Sequence, residues 1–216
     1  EPTASKNIYE FRDKILLNYV KNGSAVLNKN SYLKWSILDK KTQTIEFQDG
    51  GIPHIENLDP STTNYPFIVK SKLGSHGSHV FKIENKNDLD NVFKNYKKED
   101  LLFQEFQTSG FDLRVIVLDG RVLGIMKRTP KEGEFLSNFS QGGFVSKYEG
   151  SDVTEIGEIA IKTAKHFELD YVGVDLMKGN DGSWKVLEVN RACQFKGFEQ
   201  ATGINVASEV IFYLKN

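Results

Sequence analysis

The segment "YVGVDLMKGNDGSWKVLEVN", residues 171 to 190, reads as two β-rich runs joined at Asp181-Gly182. Asp-Gly suits a two-residue hairpin turn because both central positions need positive φ. A regular ladder closed at that turn sets Asp175 directly opposite Glu188. Side chains alternate along a strand, so Glu188 and Asn190 share a face. Three oxygen-bearing side chains therefore converge among mostly apolar neighbours: Val174, Leu176, Val186, Leu187 and Val189. Two opposed carboxylates repel unless a cation lies between them. Hard oxygen donors suit Mg²⁺ held jointly with nucleotide phosphates. A solvated polar face accounts for the same residues equally well, and the geometry alone leaves both readings open.

Working outward, "DLRVIVLDGRVLGIMKR" (112 to 128) is a second hairpin around Asp119-Gly120. A regular ladder there puts Asp112 opposite Lys127, with Arg114 on the same face, a cross-strand ion pair of the ordinary structural kind. "KRTPKEGEFLSNFSQGGF" (127 to 144) follows, a long glycine-bearing loop with two cations at its start. Such a loop can close over a polyanion, although taken alone it reads better as a flexible surface connection. Upstream, "FIVKSKLGSHGSHVFKI" (67 to 83) runs from a strand through Lys70 and small residues into a second apolar run. Its backbone N–H groups can wrap a phosphate. It lacks both the Walker and the dinucleotide patterns, so taken alone it is a strand–turn–strand. His76 and His79 have no cysteine or carboxylate at ligand spacing and read as loop histidines. Cys193 reads as a small apolar residue, with no nearby His/Asn pattern to mark a nucleophile.

The remaining elements fit an α+β chain. Residues 7 to 23 carry apolar residues at helical spacing up to Gly23, and 31 to 41 read as another short helix. Residues 42 to 66, punctuated by Gly50, Gly51, Pro53, Pro60 and Pro66, read as loops with one short strand at most. Helices are expected at 87 to 98, 152 to 169 and the C-terminal "GINVASEVIFYLKN", and a strand at 101 to 106. The apolar helix so near the start needs a cover, which suggests a fragment of a longer chain. Hydrophobic content of 39% and charged content of 26% are ordinary for a soluble domain. A net charge of −1 gives no electrostatic case for a nucleic-acid or membrane-surface partner. A single cysteine excludes an internal disulfide framework and suits a reducing, cytoplasmic compartment. No apolar run is long enough to span a bilayer.

Four stretches together resemble the ATP-grasp superfamily, specifically its RimK-like carboxylate–amine ligases. "PFIVKSKLGSHGSHV" is similar to the family's strand–lysine–glycine loop. "LLFQEFQTSGFDLRVIVLDGRVLGIMKR" is similar to its hinge strand and following hairpin, and "KEGEFLSNFSQGG" to its signature loop. "VGVDLMKGNDGSWKVLEVNRACQFKGFEQATGINVA" is similar to its metal hairpin and closing helix. Together they cover about residues 66 to 212. His79 stands where the family has a glycine, Leu136 where it has an arginine, and "RACQF" where it has small residues and a proline.

The resemblance implies an α+β ATP-grasp fold, two α+β subdomains gripping ATP between antiparallel sheets. It implies a remnant N-terminal region and linker helix over 1–58, a small subdomain over 59–106, and a large subdomain with the metal site over 107–216. Residues 3 to 28 would be the last helix and strand of the family's N-terminal domain. Lys70 would contact the phosphates, beneath a loop including Gly74, Ser75, His76 and Gly77. Gln104, Glu105 and Phe106 would form the adenine hinge, and Asp112 would reach the ribose, with Lys127 also on the nucleotide. Arg128 and Asn138 would face the γ-phosphate and the acylphosphate, a role for Arg128 that requires a bulge or a twist in its hairpin. Asp175, Glu188 and Asn190 would hold Mg²⁺ (or Mn²⁺). The family's early nucleotide lysine has two candidate matches, Lys29 and Lys34.

The implied reaction is ATP- and Mg²⁺-dependent ligation of a carboxylate to an amine through an acylphosphate, with an amino acid, peptide or small molecule as substrate and a homo-oligomer compatible. A phosphotransferase acting on a hydroxyl and a non-catalytic nucleotide-binding module are the alternatives. The intact charged trio speaks against the second.

Overall fold

A computed structural model describes residues 2–61, 64–72, 79–132 and 143–215. The chain opens with α1 (Pro2–Lys21), α2 (Lys29–Lys34) and α3 (Lys40–Asp49). Then come β1 (Phe67–Ser71), β2 (Val80–Ile83), α4 (Lys86–Asn95) and β3 (Leu101–Glu105). The second half runs β4 (Asp112–Leu118), β5 (Arg121–Thr129), β6 (Phe144–Lys147), α5 (Val153–His166), β7 (Tyr171–Lys178), β8 (Trp184–Asn190), α6 (Lys196–Thr202) and α7 (Val206–Lys215). The strands form two antiparallel sheets, β2-β1-β3 and β6-β5-β4-β7-β8.

The small sheet packs its Phe67, Val69, Ile83 and Phe103 with Val92 of α4 into one apolar cluster. The large sheet has two covered faces. One carries Leu113, Val115, Val117, Val172, Val174 and Leu176 onto Ile156, Ala160 and Ala164 of α5. The other carries Ile116, Leu118 and Met126 against Phe198 of α6 and Val206 of α7. The polar end of that second face is where the site forms.

Helix α3 corrects the reading of 42 to 66 as loop. Asp39 caps it, its side chain accepting from the Thr42 N–H at 2.7 Å. Its inward residues include the polar Gln43 and Thr44 beside Phe47, so no apolar stripe marks it. Gln43 is buried because it pairs with the main chain of β8: its Oε1 accepts from Val189 N at 2.8 Å, and its Nε2 donates to Val189 O at 3.3 Å. Residues 24 to 27 form no strand. Instead the Asn28 side chain does a strand's work beside β7, donating to Tyr171 O at 2.7 Å and accepting from Tyr171 N at 2.9 Å. Helix α4 is capped by Asn85, two residues earlier than the sequence suggests. Helix α6, which the sequence reading passes over, ends at Gly203 with φ of 74°.

Candidate active site

The hairpin β7–β8 brings Asp175 opposite Glu188, as expected, but by another route. The connection closes with Gly179 and Ser183 paired, Gly179 N donating to Ser183 O at 2.8 Å. Three residues thus lie in the loop rather than two, with Gly182 at φ 81°. That change would shift the register by one. A bulge between Asp175 and Leu176 on the ladder restores it. The bulge also turns Val186 and Val189 onto the α5 face together, which leaves Glu188 and Asn190 on the opposite face with Asp175. Asn190 Nδ2 donates to Glu188 Oε1 at 3.1 Å and to Asp175 Oδ2 at 3.3 Å, so it joins the two carboxylates.

The hairpin β4–β5 differs from the sequence reading. Its turn is the expected Asp119-Gly120 pair, at φ 50° and 68°. A bulge between Ile116 and Val117 on the ladder then shifts every later pair. Asp112 therefore lies opposite Arg128, and Lys127 opposite Leu113. The pairing of Asp112 with Lys127 is corrected accordingly. Lys127 is carried to the other face, where its ammonium sits 4.3 Å from the centre of the Phe111 ring. Arg128 is delivered to the site face by that bulge, as its proposed role requires.

The result is a buried ionic network. Arg114 holds Asp175 with two parallel bonds of 2.7 Å, Nε to Oδ1 and Nη2 to Oδ2. Arg128 Nη2 reaches Asp175 Oδ2 at 2.9 Å, and its Nε donates to Asp112. Asp175 and Arg128 are only 2% and 4% exposed. Burial pushes the Asp175 carboxyl up, but the two guanidiniums outweigh it and hold the group below its usual range. Burial pushes the Arg114 and Arg128 guanidiniums down, and the facing carboxylates more than reverse this.

Lys70, on β1 of the other sheet, is buried at 9% exposure. Burial drives its pKa down to about 8, Glu188 resists the fall, and Lys40 adds to it. Lys40 begins α3, and its N–H donates to Lys72 O at 3.3 Å. Of the two candidates for an early nucleotide lysine, Lys34 makes a surface pair with Glu168 at 2.9 Å and Lys29 is exposed.

Gln104, Glu105 and Phe106 bridge the sheets. Gln104 is buried, its Nε2 donating to Ile55 O at 3.0 Å. Phe106 carries the Lys82 ammonium 4.7 Å from its ring centre. Gly74, Ser75, His76, Gly77 and Asn138 lie outside the described residues. Two carboxylates and an amide are the chemistry a hard cation takes; here the Asp175 oxygens are engaged by Arg114 and Arg128, and Asn190 turns its Nδ2 to both carboxylates, so the amide must turn over to offer its oxygen. Among the described residues no three carboxylate, histidine or cysteine side chains cluster as a metal site, here or elsewhere. Described helices include none long and apolar enough to cross a membrane.

Two sheets joined by a hinge strand, with a charged hairpin facing a buried lysine, define an ATP-grasp protein. The chain belongs to the RimK-like ATP-grasp domain family, matching it over residues 22–214. It is 34% identical over 194 residues to a probable alpha-L-glutamate ligase of Pasteurella multocida, covering 84% of this chain and 60% of that protein. It is also 34% identical over 181 residues to the ribosomal protein bS6--L-glutamate ligase of Escherichia coli, covering 80% and 59%. The ATP-grasp ligase PsnB, solved with a phosphomimetic variant of its minimal precursor, Mg and ADP, superimposes with a TM-score of 0.74. That likeness has 25% identity and covers 98% of this chain and 68% of PsnB. The chain thus spans 59 to 60% of the length of these two glutamate ligases.

Proposed function

We propose that this chain is the nucleotide-binding core of an ATP- and Mg²⁺-dependent ligase that joins a carboxylate to an amine, an amino acid being added to a peptide or small molecule. The observation that carries the reading is the Arg114–Asp175–Arg128–Asp112 network beside Glu188 and Asn190, with Lys70 acting on the same cluster from the other sheet. The relatives named as glutamate ligases and the Mg- and ADP-bound PsnB support it.

In this reading the substrate carboxylate attacks the γ-phosphate, giving an acylphosphate and ADP. The amine then attacks the acyl carbon and phosphate leaves as the amide forms. Lys70 and Arg128 offset the charge of the transferring group. Asp112 orients Arg128, and Gln104, Glu105 and Phe106 bind the base. Asp175, Glu188 and Asn190 would hold Mg²⁺, which supplies charge neutralisation at the phosphates when bound. Asn138 and the 74–77 loop are assigned to the phosphates by resemblance. Positioning and preorganised charge do the catalytic work, which suits a site with no nucleophilic side chain. The family relationship and the buried, free Cys193 fit a cytoplasmic location.

Phosphate release is the test. A ligase releases phosphate only when carboxylate and amine are both present, whereas a phosphotransferase transfers it to a hydroxyl without release. Release with neither substrate dependence, or none with any pair on a chain that binds nucleotide, contradicts ligation.

A further inference from the structure

Asn180 sits at the tip of the β7–β8 hairpin, exposed to solvent, yet its polar groups turn to the hinge. Its N–H donates to Gln107 Oε1 at 2.8 Å. Its Nδ2 donates to Phe106 O at 2.9 Å and to Glu105 Oε1 at 3.2 Å. Its Oδ1 accepts from Thr108 N at 3.1 Å and from Thr108 Oγ1 at 3.0 Å. One side chain and one N–H thus engage four consecutive residues, Glu105 and Phe106 of the hinge and Gln107 and Thr108 just after it.

The tip is itself internally bonded. Asp181 Oδ1 accepts from Ser183 N at 3.0 Å and Ser183 Oγ at 2.7 Å, and its other oxygen pairs with Lys185 at 2.8 Å. Gly182 N donates to Gly179 O at 2.9 Å. A Cβ on Gly179 would come within 2.6 Å of Asp181 Oδ1, so a side chain there would displace the Asp181 carboxylate.

We propose that Asn180 is a positioning residue that sets the hinge to read the nucleobase and ties that reading to the metal hairpin. The proposal rests on the hinge binding the base, as argued above. A base edge is recognised by main-chain donors and acceptors whose planes must be fixed before binding, since ordering them on binding costs affinity. By occupying the Phe106 carbonyl and the Thr108 N–H, Asn180 fixes the peptide planes between them. Because Asn180 and Asp175 stand on one hairpin, the base and the metal are then held by one internally bonded unit.

The test compares the parent chain with Asn180→Ala and Thr108→Val by calorimetric titration with Mg-ADP, Mg-GDP and Mg-pyrophosphate. Loss of the latch should weaken ADP about tenfold in Asn180→Ala and less in Thr108→Val. The preference for ADP over GDP should shrink, with pyrophosphate binding unchanged. Equal ADP binding in parent and Asn180→Ala overturns the latch alone, as does an equal loss for ADP and pyrophosphate. No ADP binding by the parent overturns the nucleotide reading and the latch with it. Should Asn180→Ala not fold, Asn180→Asp keeps the acceptor for Thr108 and removes the donor to Phe106, and the same ADP-selective loss is required of it.

Discussion

Lys70 is a cation kept where water cannot stabilise it, with a pKa of about 8. Its folded value lies below its unfolded one. Burial of the charge therefore weakens the fold below pH 8, and stability returns as pH rises from about 8 towards the ordinary lysine value of 10.5. Lys70→Met should accordingly stabilise the chain by about 1–3 kcal/mol at pH 7, read as a higher melting temperature, and the gain should fade towards pH 10. The same variant should lose phosphate binding. Asp175 shows a dependence of the same sign in the acid range, except that its charged form is the stabilising one. Its depressed carboxyl contributes stability above the ordinary aspartate value of 3.8 and loses it as pH falls through the folded value. Asp175→Asn leaves Arg114 and Arg128 buried against a neutral partner and should cost about 3–5 kcal/mol in denaturant unfolding.

At the scale of elements, two bulges make the site. The trio 175, 188 and 190 was legible because a loop one residue longer than expected and one bulge cancel. The Asp112–Arg128 pair was not, because a bulge mid-ladder leaves no mark in an alternating apolar pattern. Helix α3 was hidden for a related reason: hydropathy cannot show that Gln43 is buried to bond Val189. Gln43→Leu should cost about 1–3 kcal/mol, since it strands the Val189 N–H, and should loosen the segment that carries Glu188 and Asn190. Hydrogen exchange at Val189 reads this directly. His79, at the glycine position of the family loop, has φ of 66°. It therefore adopts the backbone for which glycine is suited. His79→Gly should raise stability by up to about 1 kcal/mol, less whatever its contact with the Tyr96 ring at 5.6 Å contributes.

For the molecule as a whole, the two sheets meet through Gln104, the hinge and the Asn180 contacts, and the ionic cluster of one faces Lys70 of the other. The central claim is that Mg-ATP binds between them with Glu188 as a metal ligand. Thermal unfolding of the parent and of Glu188→Gln, each with and without saturating Mg-ATP, tests it most directly. At a hundredfold excess over Kd the parent should gain about 2.7 kcal/mol, a rise of roughly 5–10 °C for a chain of this size. Glu188→Gln should gain far less. No shift in the parent, or an equal shift in both, contradicts the account.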